Sequence, residues 1–185
     1  MVFSSSLEYD SILLYTSEIV ESVKSLKNNP FKKLDVENIY NELTDSTISD
    51  IYNKIESYSQ DDEKTILFVD DFTASLKATS YIQETLKKLI YNRRHLKLNI
   101  IITAQSYCNI PLDVRKNIQN LILFKPSKKE FELLFNELFE SKKDIALHIM
   151  RMAYDEPHNF LFMNVPSQRL FKNWDELLIK DTEEE

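Results

Sequence analysis

Apolar runs and amphipathic stretches alternate along this chain, which is typical of a sheet whose strands are separated by helices. Three runs rich in strand-forming residues, at 65–72, 98–103 and 120–125, are predicted to be strands. We expect the first to be buried on both faces, as in a parallel sheet that is covered by helices, and the second to be buried as well. The spacing of apolar residues over 75–92 predicts a helix between the first two of these strands.

The rest of the chain divides into further elements on the same grounds. We predict a strand at 1–6, a helix at 7–26 with an interruption near 15–17, two short helices within 34–58 that divide near 44–46, a turn at 110–115 that leads into a short helix, helices at 128–139 and 142–154, and a hairpin of strands at 160–165 and 168–172. Together these elements favour a three-layer α/β domain with a mostly parallel sheet. We expect a single domain over residues 1–180 and a flexible acidic tail at 181–185.

The composition excludes several classes of protein. The formal net charge is −7, so any binding of nucleic acid would need a local basic patch. The single cysteine, Cys108, excludes an internal disulfide and fits a reducing compartment. No apolar run is long enough to span a membrane, and no basic segment followed by an apolar one opens the chain. We therefore expect a protein that is neither secreted nor inserted in a membrane.

The chain contains no glycine, whereas an average usage of roughly 7% predicts about a dozen glycines in a chain of this length. Every glycine-rich phosphate-binding loop, including G-x-x-x-x-G-K-[ST] and G-x-G-x-x-G, is therefore absent from these 185 residues. If the chain takes part in nucleotide chemistry, the loop that binds the phosphates lies elsewhere.

Polar side chains follow two of the predicted strands at the points where ligands of parallel sheets bind. Asp70 and Asp71 end the first strand, and two carboxylates there suit a Mg²⁺ ion held through its water shell and the orientation of an attacking water. The alternative is that these acids only cap the following helix. Gln105 ends the next strand, where its amide could hydrogen-bond a γ-phosphate or the attacking water. The alternative for Gln105 is a bond to a neighbouring loop.

Arg94 and Arg115 are candidates for neutralising transition-state charge, including on the nucleotide of a neighbouring subunit. The alternatives are a solvated basic helix end for Arg94, which lies near Lys97, and an ordinary surface position for Arg115. The histidines and Cys108 lack the spacing of a metal site, and no nucleophile-elbow motif is present.

The joint pattern of these motifs resembles the DNA-packaging ATPases of large nucleocytoplasmic DNA viruses, which belong to the FtsK and HerA clan of P-loop motors. The resemblance is carried by ILFVDDF, the helix after it, RRHLKLNIIITAQSYCNIPLDVRKN and NLILFKPSKKEFELLFNEL, and it is strongest over 65–138. It implies an ASCE-type P-loop fold in which Asp70 and Asp71 are the Walker B pair, with Asp70 on Mg²⁺ through water and Asp71 as the catalytic base. Gln105 is then the sensor residue. Arg94 is the arginine before the sensor strand, although family members commonly have glycine before that arginine and this chain has Arg93.

The same resemblance implies that part of the motor is missing. The family begins with a strand, the Walker A loop and its helix, and nothing in these residues matches that first strand, P-loop and first helix. We therefore expect the C-terminal portion of a genome-packaging ATPase, which is unable to hydrolyse ATP alone, and a gap in the sheet between the strands at 98–103 and 120–125. The alternative is a non-catalytic assembly or binding module derived from the motor fold.

The resemblance also implies ligands, partners and a location. The ligands are ATP and Mg²⁺, which would bind once a P-loop is supplied by an upstream segment or a partner. The partners are double-stranded DNA, like subunits in a ring or a complementing P-loop-bearing fragment, and capsid assembly proteins, with no membrane. The expected location is the host cytoplasm at viral factories, or the virion.

Overall fold

The computed structural model describes residues 9–15, 30–70, 80–139 and 143–178, which group into two compact units within 1–105 and 106–185. The elements of the first unit are β1 (Ser11–Tyr15), β2 (Ile39–Tyr40), α1 (Asp45–Gln60), β3 (Thr65–Val69), α2 (Ser80–Asn92) and β4 (Leu98–Ile102). Those of the second unit are α3 (Leu112–Arg115), β5 (Asn120–Phe124), α4 (Lys128–Phe139), α5 (Lys143–Ala153), β6 (Phe160–Asn164), β7 (Arg169–Lys172) and β8 (Asp175–Glu176). The predicted strand at 1–6 and the tail at 181–185 lie outside the described residues, and the single domain over 1–180 stays a prediction.

The first unit contains a four-stranded parallel sheet in the order β2-β1-β3-β4. Its main core lies between this sheet and the helices α1 and α2, and the fully or almost fully buried side chains there include Leu13, Ile48, Ile51, Ile55, Leu67, Val69, Ile82, Leu89 and Leu98. A smaller cluster on the other face joins Leu14 and Ile39 to Phe31, Leu34 and Phe68. The predicted α/β class with a mostly parallel sheet is confirmed for this unit, and strands and helices alternate as their apolar patterns require.

Strand β1 shows that the prediction of a helix over 7–26 is wrong for residues 11–15, and residues 16–26 of that prediction lie outside the described residues. Leu13 and Leu14 are adjacent and both are buried, but they belong to clusters on opposite faces of the sheet. Side chains of a strand alternate between faces, so consecutive buried residues mark a central strand that is covered on both sides. A run of four apolar residues is too short to distinguish such a strand from a helix, and pairing with β2 and β3 decided between the two.

The prediction of two short helices within 34–58 is wrong in its first half. Residues 36–38 form a 3-10 turn that leads directly into the two-residue strand β2. The second half is confirmed as α1, and its start agrees with the division predicted near 44–46. Thr44 caps the helix, because its backbone N–H donates to Thr47 Oγ1 at 2.7 Å while the Thr47 N–H donates to Thr44 Oγ1 at 3.2 Å.

The second unit contains an antiparallel sheet in the order β5-β6-β7-β8, with α4 and α5 packed on one face. Its buried core includes Tyr107, Phe131, Leu134, Phe135, Ala146, Ile149, Ala153, Leu161, Met163 and Leu170. The predicted hairpin is confirmed as the antiparallel pair β6 and β7, and the two predicted helices are confirmed as α4 and α5. None of the helices in the described part of the chain is long and apolar enough to cross a membrane.

Each unit has its own sheet among the described residues, and β4 and β5 are each an edge strand of their sheet. Among the described residues β4 pairs only with β3, and β5 pairs only with β6. The gap that the sequence predicts between these two strands stays a prediction. Side chains near these edges remain open to solvent, with Ile101 of β4 exposed by 44% and Phe124 of β5 by 66%. An edge strand offers unpaired N–H and C=O groups to any further strand of suitable register.

Candidate active site

The carboxyl ends of β3 and β4 meet at one edge of the parallel sheet. Val69 is the register partner of Ile102, and the N–H of Thr103 donates to the carbonyl of Val69 at 2.9 Å, so the next residues of both strands lie side by side. Thr103 Oγ1 then donates to Asp70 Oδ1 at 2.7 Å. This charge-assisted bond orients the Asp70 carboxylate at the edge where ligands of parallel sheets bind.

We call the carboxyl ends of β3 and β4 the rim of the parallel sheet. The other predicted site residues of this rim are Asp71 and Gln105. Asp71, the predicted catalytic base, lies outside the described residues. Gln105 is exposed and follows Thr103 by two residues, so the predicted placement of Asp70 and Gln105 after neighbouring strands agrees with the parallel pairing of β3 and β4. The roles of all three residues stay predictions.

The described acids fit a hydrated magnesium ion better than a metal held by protein ligands alone. Among the described residues, no group of three or more His, Cys, Asp and Glu side chains is placed to hold a metal. Mg²⁺ usually keeps several waters and is bound by one or two carboxylates together with substrate phosphates. Asp70, with Thr103 fixing one of its oxygens, is suited to that arrangement.

Arg94 lies before the amino end of β4, whereas Asp70 lies at the carboxyl end of β3. It is exposed in the turn between α2 and β4, where the Leu98 N–H donates to the carbonyl of Arg93 at 2.8 Å and Lys97 forms an ion pair with Asp62. The five residues of β4 separate this turn from Thr103, which amounts to roughly 16 Å at the rise of a parallel strand. The structure therefore does not bring Arg94 together with Asp70 in one subunit.

Arg115 is engaged inside the second unit. Its Nη2 lies 3.2 Å from Glu137 Oε1, its side chain is only 13% exposed, and its guanidinium stacks 5.1 Å from the ring centre of Tyr107. The Tyr107 hydroxyl donates to Glu137 Oε2 at 2.9 Å. Burial, followed by this bond to the Glu137 carboxylate, raises the pKa of Tyr107 above its ordinary value. We call Tyr107, Arg115 and Glu137 the Arg115 cluster.

Sequence reasoning missed Glu130, which anchors the turn directly after Gln105. A single oxygen, Glu130 Oε1, accepts from Ser106 Oγ at 2.7 Å, from the Tyr107 N–H at 2.7 Å and from the Cys108 N–H at 3.4 Å. In sequence, Ser127 followed three residues later by Glu130 is typical of a capping box. Half of that box is present, since the Glu130 N–H donates to Ser127 Oγ at 3.3 Å. The carboxylate binds the 106–108 turn, a contact that only the tertiary structure reveals.

Thr103 was also missed as a site residue, although a signal for it exists. A hydroxyl directly after a buried strand, on the strand next to an acid-tipped one, is placed to donate to that acid whenever the two strands pair in parallel. For Glu137 there was no comparable signal, because its partners Tyr107 and Arg115 are distant in sequence.

Residues 8–176 match the family model described as "Poxvirus A32 protein". The genome-packaging NTPase B204 from Sulfolobus turreted icosahedral virus 2, in complex with ATP-gammaS, is 16% identical with a TM-score of 0.63, over 90% of this chain and 83% of that one. The DNA-packaging ATPase B204 from Sulfolobus turreted icosahedral virus is 13% identical with a TM-score of 0.66, over 89% of this chain and 82% of that one. No curated protein sequence matches this chain.

These matches confirm the resemblance that the motifs indicated. The family model covers most of the chain, including the strands that precede Asp70 and Gln105. The solved structures share its fold at low sequence identity. The chain belongs to the poxvirus A32 protein family and has the fold of the viral genome-packaging ATPases of the FtsK and HerA type.

Proposed function

We propose that this chain carries the Walker B and sensor elements of an ATPase that drives viral genome packaging. Asp70 binds Mg²⁺ through water, Asp71 is the catalytic base that orients the attacking water, and Gln105 senses the γ-phosphate. The observation that carries the proposal is the hydrogen bond from Thr103 to Asp70, which joins the ends of two adjacent parallel strands. Membership of the A32 family and the shared fold support it.

ATP and Mg²⁺ are the proposed ligands. The genome-packaging NTPase B204 from Sulfolobus turreted icosahedral virus 2 was solved in complex with ATP-gammaS and, separately, in complex with AMPPCP. When bound, Mg²⁺ would neutralise charge on the β- and γ-phosphates. The chain's own contribution is to hold a carboxylate in place for that ion, since the hydroxyl of Thr103 restricts the rotation of Asp70.

A phosphate loop from outside these 185 residues completes the site. The residues contain no glycine, so they cannot supply the Gly-rich loop that cradles phosphates. The edge of β4 is unpaired in the described part of the chain and can accept the strand that leads into such a loop. We therefore expect this chain to lack ATPase activity alone and to gain it with an upstream or complementing P-loop-bearing segment.

Arg94 acts on the nucleotide of a neighbouring subunit. Its place at the amino end of β4, roughly 16 Å from the carboxyl end, argues against a role at its own Asp70. Its side chain is exposed, and no hydrogen bond or ion pair holds it within the described residues. This arrangement is what an arginine supplied in trans requires, and it favours a ring of like subunits.

The substrate polymer of such a motor is double-stranded DNA. Because the chain carries a net charge of −7, contact with DNA has to come from local basic groups on the assembled ring. Packaging also implies contact with capsid assembly proteins and a location at viral factories in the host cytoplasm or in the virion.

The test is an ATPase assay with a matched pair of variants. The pure chain should show no turnover, and addition of the P-loop-bearing segment should produce it. In that mixture Asp71→Asn should abolish turnover, because the attacking water loses its base, while Asp35→Asn, an exposed acid without a side-chain cap bond, should not change it. Robust turnover by the pure chain would refute the requirement for an external phosphate loop, and full activity of Asp71→Asn would refute the Walker B assignment.

A non-catalytic assembly or binding module is the second candidate, and the complete lack of glycine favours it. In that case the motor fold serves only as a scaffold. The two candidates differ in infected cells, where Asp71→Asn and Gln105→Ala should block packaging if the chain is part of an ATPase. If both variants support normal packaging, the scaffold role is correct.

A further inference from the structure

A cavity of about 500 Å³ opens at the carboxyl end of β5 in the second unit. Its walls come from Phe124 and Lys125 at the end of the strand, and from the segment 154–159 that connects α5 to β6. Ligand pockets usually have volumes between about 300 and 1,000 Å³, so the cavity is large enough for a small organic molecule. It does not include any residue of the Asp70 rim or of the Arg115 cluster.

One wall of the cavity is held rigidly by polar contacts. Asp155 Oδ2 accepts from Lys172 Nζ at 2.6 Å, and Asp155 Oδ1 accepts from Asn159 Nδ2 at 2.9 Å. Asn159 Oδ1 in turn accepts from Asn173 Nδ2 at 3.0 Å. The hydrogen bond from Lys172 lowers the pKa of Asp155. These contacts fix the 155–159 segment against the hairpin, so the wall is formed before a ligand arrives.

His158 is held in a conformation that favours glycine. Its φ is 66°, in the left-handed region that most residues with a Cβ avoid at a cost of about 1 kcal/mol. Such conformations persist where the surrounding structure imposes them, and they cluster at ligand sites. His158 is exposed and is among the residues that line the cavity.

The cavity combines ring surfaces with uncommitted polar groups. The Phe124 side chain is 66% exposed, and the buried Tyr154, whose hydroxyl donates to the carbonyl of Leu123 at 2.8 Å, also lines the cavity. Lys125, Glu156 and His158 form no hydrogen bond or ion pair within the described residues. Donors and acceptors are therefore both available beside an aromatic surface.

The charges at the cavity favour a neutral ligand over a phosphate. Lys125 and Glu156 have opposite charges, and the charge of Asp155 is offset by its contact with Lys172. No excess of positive charge remains to hold an anion. A flat heterocycle with hydrogen-bonding edges fits both the ring surfaces and the balanced charge.

We propose that this cavity is a nucleobase-binding site, in which the base of a mononucleotide stacks on Phe124 and His158 and hydrogen-bonds to Lys125 or Glu156. Every base offers a π-face, and stacking on an aromatic side chain accounts for much of the affinity of such sites. The proposal needs neither Asp70 nor a phosphate loop, so it can hold or fail independently of the ATPase proposal.

The experiment is a titration of the full chain, followed by the backbone amide NMR signals of Lys125 and His158. Adenosine and AMP should shift these signals with similar affinity, whereas ribose 5-phosphate should not. Phe124→Leu, which keeps an apolar side chain but removes the ring, should weaken adenosine binding by about fivefold or more. The matched control is Ile122→Ala, which alters an exposed apolar residue of the same strand outside the cavity and should leave the affinity unchanged.

The variant His158→Gly distinguishes a role of His158 in ligand binding from a role in the stability of the fold. Glycine relieves the left-handed conformation, so the melting temperature should stay the same or rise, while adenosine binding should weaken because the ring is lost. A loss of both stability and binding would mean that His158 has only a structural role. The proposal is overturned if adenosine causes no shift up to about 10 mM, or if ribose 5-phosphate competes with adenosine. It is also overturned if an oligonucleotide binds where adenosine and AMP do not, or if Phe124→Leu binds adenosine normally.

Discussion

The rim of the parallel sheet and the Arg115 cluster both contain charged residues of the kinds that ATPase sites use, yet the structure places them in opposite environments. At the rim, Asp70 is joined to Thr103 and Gln105 is exposed to solvent. In the cluster, Arg115 is largely buried and bound to Glu137, which also accepts from Tyr107. Polar groups at the carboxyl ends of parallel strands are placed to meet a ligand, while an arginine bound inside a unit stabilises the fold.

The same contrast separates the two candidate arginines. Arg94 is exposed in a turn whose backbone is fixed by hydrogen bonds. Moving Arg115 to a neighbouring nucleotide would break its ion pair and leave the partly buried Glu137 carboxylate with the Tyr107 hydroxyl but without its cationic partner, which is costly. We therefore expect Arg94 to matter for activity and Arg115 to matter for stability.

The largest expected effect is the loss of activity in Arg94→Ala. In a motor reconstituted with the P-loop-bearing segment, kcat should fall about 1000-fold, which corresponds to about 4 kcal/mol in the barrier. Because the role is in trans, mixing Arg94→Ala subunits with Asp71→Asn subunits should recover part of the activity, since some interfaces then pair an intact arginine with an intact base. Failure to recover any activity on mixing would argue against action between subunits.

The next largest effect is the destabilisation expected for Arg115→Ala. The free energy of unfolding should fall by about 2 to 3 kcal/mol, below the range for a fully buried pair because both side chains are partly exposed. Urea unfolding measures this, with Arg94→Ala as the exposed control that should change stability by less than about 0.5 kcal/mol. Equal effects of the two substitutions would remove the distinction between the two arginines.

A smaller loss is expected for Glu130→Ala, which releases the turn after Gln105. Three donors lose one carboxylate oxygen, so stability should fall by about 1 to 2 kcal/mol, and the amides of Tyr107 and Cys108 should exchange faster with solvent. Glu130→Gln should lose less, because the amide oxygen still accepts. The control is Lys129→Ala on the exposed face of α4. Unchanged exchange in Glu130→Ala would mean that other contacts fix the turn.

The mildest effect is a loss of stability at alkaline pH. Burial raises the pKa values of Tyr40, Tyr107 and Tyr154 above the ordinary value of 10.0. The contribution of these tyrosines to the free energy of unfolding is therefore complete below that pH, and it is lost as the pH rises from there towards the folded pKa values. The loss is about 1.4 kcal/mol per pH unit for each tyrosine that ionises only on unfolding. Urea unfolding across this range should show a shallower loss of stability for Tyr154→Phe than for the unsubstituted chain.

Long periodic segments were predictable from the sequence, while short apolar runs were not. Helices α4 and α5 and the β6–β7 hairpin follow from their own patterns. The prediction of helices at β1 and β2 is wrong because their apolar runs, of four residues in β1 and two in β2, are too short to distinguish the period of a strand from that of a helix. At the candidate site, Asp70 and Gln105 could be proposed because they follow predicted strands, whereas Glu130 was missed because its contacts with the 106–108 turn depend on the tertiary structure.

By itself the sequence determined the family, the alternation of strands and helices, and the absence of any glycine-rich phosphate loop, because these depend on residue identity and local spacing. Only the tertiary structure decided that Leu13 and Leu14 face opposite sides of a central strand, that Thr103 holds Asp70, and that Arg115 is bound while Arg94 is exposed. The physical reason is that burial and ion pairing depend on residues far apart in the chain, which local patterns do not record.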